Sequence, residues 1–434
     1  MHGRSWAARG AAGAFLAGAL VPAVWAGGEA CERAQRDLVV HEWGTFTSVQ
    51  GSRGVALEGL HQEEERLPGF VYSRAEVQEC PLRDKGYKGL EVPVRRVTQK
   101  METPVIYFHT KTPQRVRVRV DFVKGLISQW FPVTDTLGPP EAPAGSGPLD
   151  MSQVERSFLE WKVDLIPGTT PPAEVPQVSP DDPWSFAREV DAAWLRTASR
   201  EQPRLGPTEA ERYLFYRGLG SFPLPLQTMD SGHPGVVVAM NRGQEAIPLG
   251  FGLSVDRDQQ RIVWAPLGEA RPGSGWKFDA TRDPQPLEAG IEALTASVQQ
   301  ALTTQGLHAD EARAMVRTWA RSWFATPGTR ILWVVPRPLV DRILPLEIEP
   351  TPRETVRVLV GRHEVITPEV LAEVTSALRG RCAREEAARQ AAERTLQRFG
   401  RLLEPHVREA LAGSQDPLVQ RSGAEVLAAI AGLR

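Results

Sequence analysis

The stretch "DLVVHEWGTFTSVQG", residues 37–51, begins as a buried β-strand and then places a histidine, a glutamate and a tryptophan in a row. Side chains alternate between the two faces of a strand, so His41 shares a face with Trp43 while Glu42 points to the other face. Two adjacent titratable groups at the end of an apolar strand are costly unless both are hydrogen-bonded. The end of this strand is therefore the first place to look for a functional site.

The segment around this stretch, residues 27–167, has the pattern of a β-rich domain. "TPVIYFH" (103–109) is rich in β-branched and aromatic residues, and "VRVRVDF" (116–122) and "LEWKVDLIP" (159–167) alternate between apolar and polar residues. Turn-forming residues separate these runs. The pattern predicts an antiparallel sheet or β-sandwich.

The middle segment, residues 168–365, mixes helical and strand patterns, which predicts an α+β domain whose helices cover a sheet. Apolar residues at helical spacing predict helices over 184–196, 208–220, 291–302 and 312–323. Alternating or β-branched runs predict strands over 235–240, 247–256, 261–267, 329–336, 343–350 and 355–362.

The tail, residues 366–434, has a helical pattern and begins with Thr367 and Pro368, which are typical of a helix start. "LQRFGRLLEPHVREALAGSQDPLVQRSGAEVLAAIAGL" (396–433) resembles one unit of a HEAT-type or armadillo-type helical repeat. A single unit has no neighbours to bury its faces, so we expect it to pack as a C-terminal cap. The predicted fold class is α+β: a β-rich, sandwich-like antiparallel body with covering helices and a helical cap.

The N-terminus, residues 1–26, has the features of a signal peptide. Arg4 and Arg9 precede the apolar run 11–26, which ends in a small-residue cleavage site. The run is short for a membrane span, which favours cleavage over a retained anchor. Lipidation at Cys31 is an alternative, but the leucine usual in a lipoprotein signal is missing. We expect export to the periplasm or the extracellular space.

The charge balance gives no reason to expect nucleic acid as a partner. The chain has 51 basic and 53 acidic residues and a formal net charge of −2. No other apolar run is long enough to cross a bilayer, so we expect a protein that is not integral to the membrane. The partner expected from these features is a ligand or an envelope protein.

The chain has three cysteines, Cys31, Cys80 and Cys382. In an oxidising compartment Cys31 and Cys80 are candidates for a disulfide, which would leave Cys382 free. Their wide spacing is not that of a zinc framework. The sequence also lacks a nucleophile elbow, a P-loop and a dinucleotide fingerprint, and "HEWGT" lacks the second histidine of the H-E-x-x-H motif.

Two histidines are candidate ligands for zinc or copper. Tyr107 and His109 share a face of their strand, and if this strand neighbours the one that carries His41, the two imidazoles meet on one side. A third ligand is needed, and His61 and His233 are the loop residues that remain. The alternative is that both are strand histidines with hydrogen-bonded ring nitrogens.

Other residues are weaker candidates for a site. Glu42 and Glu102, with Asp341 as a further carboxylate, are candidate catalytic residues for glycoside hydrolysis, which needs paired carboxylates. Candidate ligand contacts are Trp43, Tyr107, Arg217 and Arg330. Ion pairs within the fold explain the two arginines equally well.

Five segments together resemble a group of exported bacterial proteins of the myxobacterial and planctomycete type that share a HEWGTFT segment. These segments are "VHEWGTFTSVQGS", "METPVIYFH", "ERYLFYRGLGSFPLPL", "TWARSWFATPGTRILWVVPRPLVDRILPLEIEP" and "VRVLVGRHEVI". The resemblance spans roughly residues 37–430. It implies export and one shared architecture, and it implies no activity, cofactor or catalytic residue.

Three hypotheses about function follow. The first, narrowly preferred, is an exported protein that binds a ligand or an envelope partner, because no catalytic motif is recognisable. The second is a metal-dependent hydrolase or oxidase with zinc or copper at His41 and His109. The third is a glycan-active enzyme with paired carboxylates. Whether the protein is an enzyme therefore stays open at the level of the sequence.

Overall fold

The computed structural model describes residues 37–51, 53–60, 67–74, 94–139, 149–198 and 208–432. The predicted signal peptide, both cysteines of the predicted disulfide and His61 lie outside these ranges. Within them, no helix is long and apolar enough to cross a membrane.

The described strands are β1 (Val39–Gly51), β2 (Tyr72–Ser73), β3 (Val94–Arg95), β4 (Gln99–His109), β5 (Gln114–Val123), β6 (Gly125–Phe131), β7 (Thr136–Gly138), β8 (Leu149–Asp150), β9 (Arg156–Ile166), β10 (Trp194–Thr197), β11 (Ala210–Glu211), β12 (Leu214–Gly220), β13 (Leu226–Asp230), β14 (Val236–Asn241), β15 (Gly250–Asp256), β16 (Arg261–Pro266), β17 (Gly275–Asp279), β18 (Gln285–Pro286), β19 (Gly328–Val334), β20 (Leu346–Glu349) and β21 (Glu354–Ile366). The described α-helices are α1 (Pro183–Arg188), α2 (Leu287–Thr304), α3 (Ala309–Ala320), α4 (Arg337–Ile343), α5 (Pro368–Gly380), α6 (Glu386–Gln397), α7 (Leu403–Gly413) and α8 (Pro417–Gly432).

The opening stretch forms the central strand of the largest sheet. This sheet has ten strands in the order β18-β16-β15-β19-β21-β1-β4-β12-β6-β2. All 13 residues of β1 are buried, because β1 pairs with β21 in parallel and with β4 in antiparallel orientation and both faces of the sheet are covered. A strand in this position buries both a histidine and a glutamate, one on each face.

The two faces of the large sheet are covered differently. On one face, Val40 and Ile106 pack in one apolar core with Val118 and Trp161 of a second sheet, which contains β11, β10, β9, β5, β20 and β7. On the other face, a second core joins sheet residues such as Trp43 to the apolar sides of α2 and α3. A sandwich on one face and helices on the other confirm the predicted α+β class.

Three sequence predictions differ from the structure. The segment 208–220, predicted as a helix, contains strand β12, whose residues are all buried; a short apolar run buried on both faces has no clear period. The helix predicted over 184–196 ends at Arg188, and its second part is β10. The strand predicted over 343–350 is preceded by α4, so only Leu346–Glu349 are extended.

The predicted boundary at residue 167 does not separate two sheets. Strands from both sides of it lie in the ten-stranded sheet, as β4 and β12 show by pairing with each other. Strands from both sides also lie in the second sheet, where β9 pairs with β10. The two predicted segments are therefore interleaved in one body.

The tail forms helices α5 to α8, which enclose a small apolar core of their own. Thr367 caps α5, as its sequence predicts, by accepting a hydrogen bond from the N–H of Val370. Ion pairs connect the tail to the rest of the fold, among them Arg401 with Glu102 of β4 at 2.6 Å, and Glu409 with Arg53, in the turn after β1, at 2.9 Å. The resemblance of the tail to a HEAT-type unit stays a prediction.

Candidate metal centre

Strands β1 and β4 bring His41 and His109 together on the helix-covered face of the sheet. In the antiparallel register His41 lies opposite Tyr107, and Val39 lies opposite His109. The two histidines are therefore diagonal neighbours on one face. Their ring centroids are 4.8 Å apart.

Helix α3 and the residue before it add two donors that were not predicted from the sequence, His308 and Glu311. His308 precedes the first turn of α3, and its backbone N–H donates to Oε2 of Glu311 at 2.7 Å, which caps the helix start. The centroid of the His308 ring lies 4.5 Å from that of His41 and 4.7 Å from that of His109. The sequence signal was "HADE", in which a histidine and a glutamate three residues apart share one helix face.

The Glu311 carboxylate lies at the centre of the cluster. Its Oε2 is 2.7 Å from Nδ1 of His41, and its Oε1 is 3.0 Å from Nε2 of His109. One candidate ligand atom from each of the four residues can be chosen such that all lie within 4.8 Å of one another. Zinc bound at about 2.0–2.2 Å needs tetrahedral donors roughly 3.4 Å apart, so donors as far apart as 4.8 Å have to move closer to bind one ion.

The charge state of Glu311 suits a ligand. Burial alone would raise the pKa of its carboxyl, but hydrogen bonds involving His109 and His41 lower that pKa to about 2. The group is therefore an anion at neutral pH. A buried anion is stable only with positive or hydrogen-bonding partners around it.

The orientation of His109 also suits a ligand. Its Nδ1 lies 3.1 Å from the backbone carbonyl oxygen of Asp191. A hydrogen bond from Nδ1–H to this carbonyl fixes the ring and leaves Nε2 facing Glu311, which is how outer partners usually orient a metal-binding histidine. Three imidazoles and one carboxylate are a donor set that suits zinc or copper.

Glu42, the first candidate catalytic residue, lies on the opposite face of the sheet. Its carboxylate accepts hydrogen bonds from the guanidinium of Arg357 and the hydroxyl of Tyr216, and it is fully buried. The same guanidinium reaches Asp341 at 2.8 Å. Glu42 therefore belongs to a buried ion pair between β1 and β21.

Glu102, the second candidate catalytic residue, is on the same face as the histidines but further along β4. It pairs with Arg401 at 2.6 Å and accepts a hydrogen bond from Thr47. Burial would raise the pKa of Glu102, but Arg401 and Lys100 lower it to about 2. Glu42 and Glu102 lie on opposite faces of one sheet, so they cannot flank one glycosidic bond. The prediction that these two residues act as paired catalytic carboxylates is therefore corrected.

The four candidate ligand contacts are all buried inside the fold. Trp43 lies in the apolar core, and Tyr107 donates its hydroxyl hydrogen to the carbonyl of Ala187 at 2.9 Å. Arg330 is fully buried, pairs with Glu364 at 2.7 Å and donates to main-chain carbonyls. Arg217 bonds to the side chain of Gln129. Trp43 and Arg330 thus support the structure from inside, which is a correction to their predicted role.

The remaining candidate ligands do not join the cluster. His233 is exposed beside a turn at the start of β14, outside the cluster. Cys382 is a half-exposed free cysteine in the tail. Among the described residues, the third and fourth donors come from α3.

Comparisons with known proteins leave the chemistry of this centre open. No protein-family model and no curated protein matches the chain. A solved structure, the Fcho1 Mu homology domain of Danio rerio with bound Eps15 peptide, aligns with 77% of this chain and 99% of its own chain. The sequence identity is 8% and the TM-score is 0.27. At that score the alignment supports no inference about this chain.

Proposed function

We propose that this protein is an exported metal-binding protein that holds one zinc or copper ion between His41, His109, His308 and Glu311. The observation that carries the proposal is the convergence of four donor side chains from three separate elements, β1, β4 and α3, within 4.8 Å. Of the three hypotheses, metal-dependent chemistry has the support of this geometry. Binding of an envelope partner stays a prediction without a surface assigned to it.

A cluster that serves only as a hydrogen-bonded helix cap is the alternative. Both functions use the contact between His308 and Glu311, so geometry alone does not separate them. Metal content does, because a helix cap retains no ion after purification. Export is tested separately, by the N-terminal residue of the secreted chain.

The first prediction concerns metal stoichiometry. Protein purified without chelator contains about one equivalent of zinc or copper by elemental analysis, and His41→Ala and His109→Ala each lose it because a ligand is removed. Zinc at 100 times its Kd raises the free energy of unfolding of the metal-free protein by about 2.7 kcal/mol. We expect no such increase in the two variants.

Two further variants sharpen this measurement. Glu311→Gln keeps an oxygen for the N–H of His308 but loses the charge, so we expect the variant to remain folded. We expect its affinity for zinc to fall by more than the roughly 10- to 100-fold that loss of an outer partner costs. His233→Ala removes an exposed histidine away from the cluster and is expected to retain full metal content. Absence of metal in the wild type, with no stabilisation by added zinc or copper, would contradict the proposal.

A further inference from the structure

The four donor residues are graded from buried to exposed. The side chains of His41 and Glu311 are 3% and 0% exposed, and that of His109 is 16% exposed. His308 is exposed. An ion held by this set therefore has protein behind it and solvent on the side of His308.

The carboxylate of Glu311 has one oxygen available to bind an ion. Oε2 of Glu311 accepts the backbone N–H of His308 at 2.7 Å. This N–H is among those at a helix start that have no acceptor within the helix, so the cap needs Oε2. Oε1 lies 3.0 Å from His109 Nε2, a contact that an ion bound to both atoms would replace. Glu311 is thus expected to bind through Oε1 alone, and the described residues offer at most four ligand atoms.

Among the described residues, no fifth donor joins the cluster. Trp43 and Tyr107 lie beside the histidines on the same face of the sheet. Their ring centroids are 6.2 Å apart, and both residues are fully buried. The hydroxyl of Tyr107 is engaged with Ala187. We therefore expect an additional ligand to reach the ion from the solvent side, next to the exposed His308.

We propose that the metal ion keeps an exchangeable coordination position on the His308 side, occupied by water at rest and open to a small anionic oxygen or nitrogen donor. This inference rests on the proposed function. A divalent ion with three neutral imidazoles and one carboxylate has a net charge of about +1, which favours an anionic incoming ligand. Structural zinc sites are closed by four protein ligands, so an open position makes this ion five-coordinate, an expansion that catalytic zinc sites also show.

The test uses cobalt(II) in place of the native ion and azide as the probe. Cobalt is added to the metal-free protein, its stoichiometry is measured, and azide is titrated while the visible d–d absorption is recorded. We expect saturable spectral changes with one azide per cobalt, and saturable changes of a different spectral shape with acetohydroxamate, which offers oxygen donors. His233→Ala is expected to behave as the wild type.

The outcomes separate the two proposals. One bound cobalt whose spectrum does not respond to azide or acetohydroxamate would overturn the open position but leave the metal centre standing. A response to azide that appears only in His308→Ala would show that four protein ligands close the native site, and would also overturn it. Failure of the wild type to bind cobalt, zinc or copper would instead contradict the proposed function.

Discussion

Replacing Arg357 by methionine is expected to lower the free energy of unfolding by about 3–5 kcal/mol, because it leaves the carboxylate of Glu42 buried without its cation. The side chains of Arg357 and Glu42 are 1% and 0% exposed, so water cannot replace the lost partner. Tyr216 keeps one hydrogen bond to the carboxylate, which offsets only part of the cost. Urea unfolding at pH 7 measures the change.

The control for this prediction is the double variant Glu42→Gln with Arg357→Met. It removes both charges, and a pair removed together costs far less than one partner left alone, so we expect stability within about 2 kcal/mol of the wild type. Metal content is expected to stay at one equivalent in both proteins, since Glu42 faces away from the cluster. A stable Arg357→Met single variant would refute the assignment of Glu42 to the fold, and loss of metal would refute its separation from the centre.

The alternation of the strand explains why adjacent residues have different tasks. His41 faces the helices and meets Glu311 at 2.7 Å, while Glu42 faces the second sheet and meets Arg357. The parallel pairing of β21 with β1 places Arg357 directly opposite Glu42. One stretch of sequence therefore supplies both a candidate ligand and a buried structural anion.

The sequence predicted correctly those elements whose apolar residues recur at a clear helical or strand spacing. The apolar stripe from Ile291 to Leu302 lies within α2, and the alternating run 116–122 lies within β5. The segment 214–220 was predicted wrongly because it is buried on both faces, and its neighbours β4 and β6 are distant in sequence. The sequence of a segment does not show which distant strands will pair with it.

The candidate centre was predictable only in part for the same reason. Strand alternation put His41 and His109 on one side if their strands were neighbours, and β1 and β4 do pair. Glu311 lies 270 residues from His41 in the chain. "HADE" marks a histidine and a glutamate on one helix face. Nothing in the local sequence of α3 indicates which face of which sheet the helix covers, so the sequence could not place these donors beside His41.

Acidification from pH 6.5 to pH 4 is expected to destabilise the protein through two buried histidines. Burial lowers the pKa of His363 to about 4, although Glu364 opposes this, and burial likewise lowers the pKa of His406 to about 4. Both pKa values lie below the ordinary 6.5, so the unfolded chain takes up a proton first and stability falls with falling pH. Each histidine contributes about 3 kcal/mol above pH 6.5, which is lost by pH 4.

Urea unfolding between pH 7 and pH 4.5 measures this slope, and asparagine is the matched replacement. His363 and His406 both use Nδ1 for their hydrogen bonds, to Ser48 and to the carbonyl of Leu402, and an asparagine amide occupies that position without titrating. In each variant we expect the slope of the free energy of unfolding against pH to be smaller by about 1.4 kcal/mol per pH unit, whatever the substitution costs in stability at pH 7. Buried carboxylates do not obscure this pH range. Glu102 and Glu364 have a pKa of about 2 against an ordinary 4.5, so the stability that they contribute is lost only at lower pH. A slope unchanged in both variants would show that these histidines do not control acid stability.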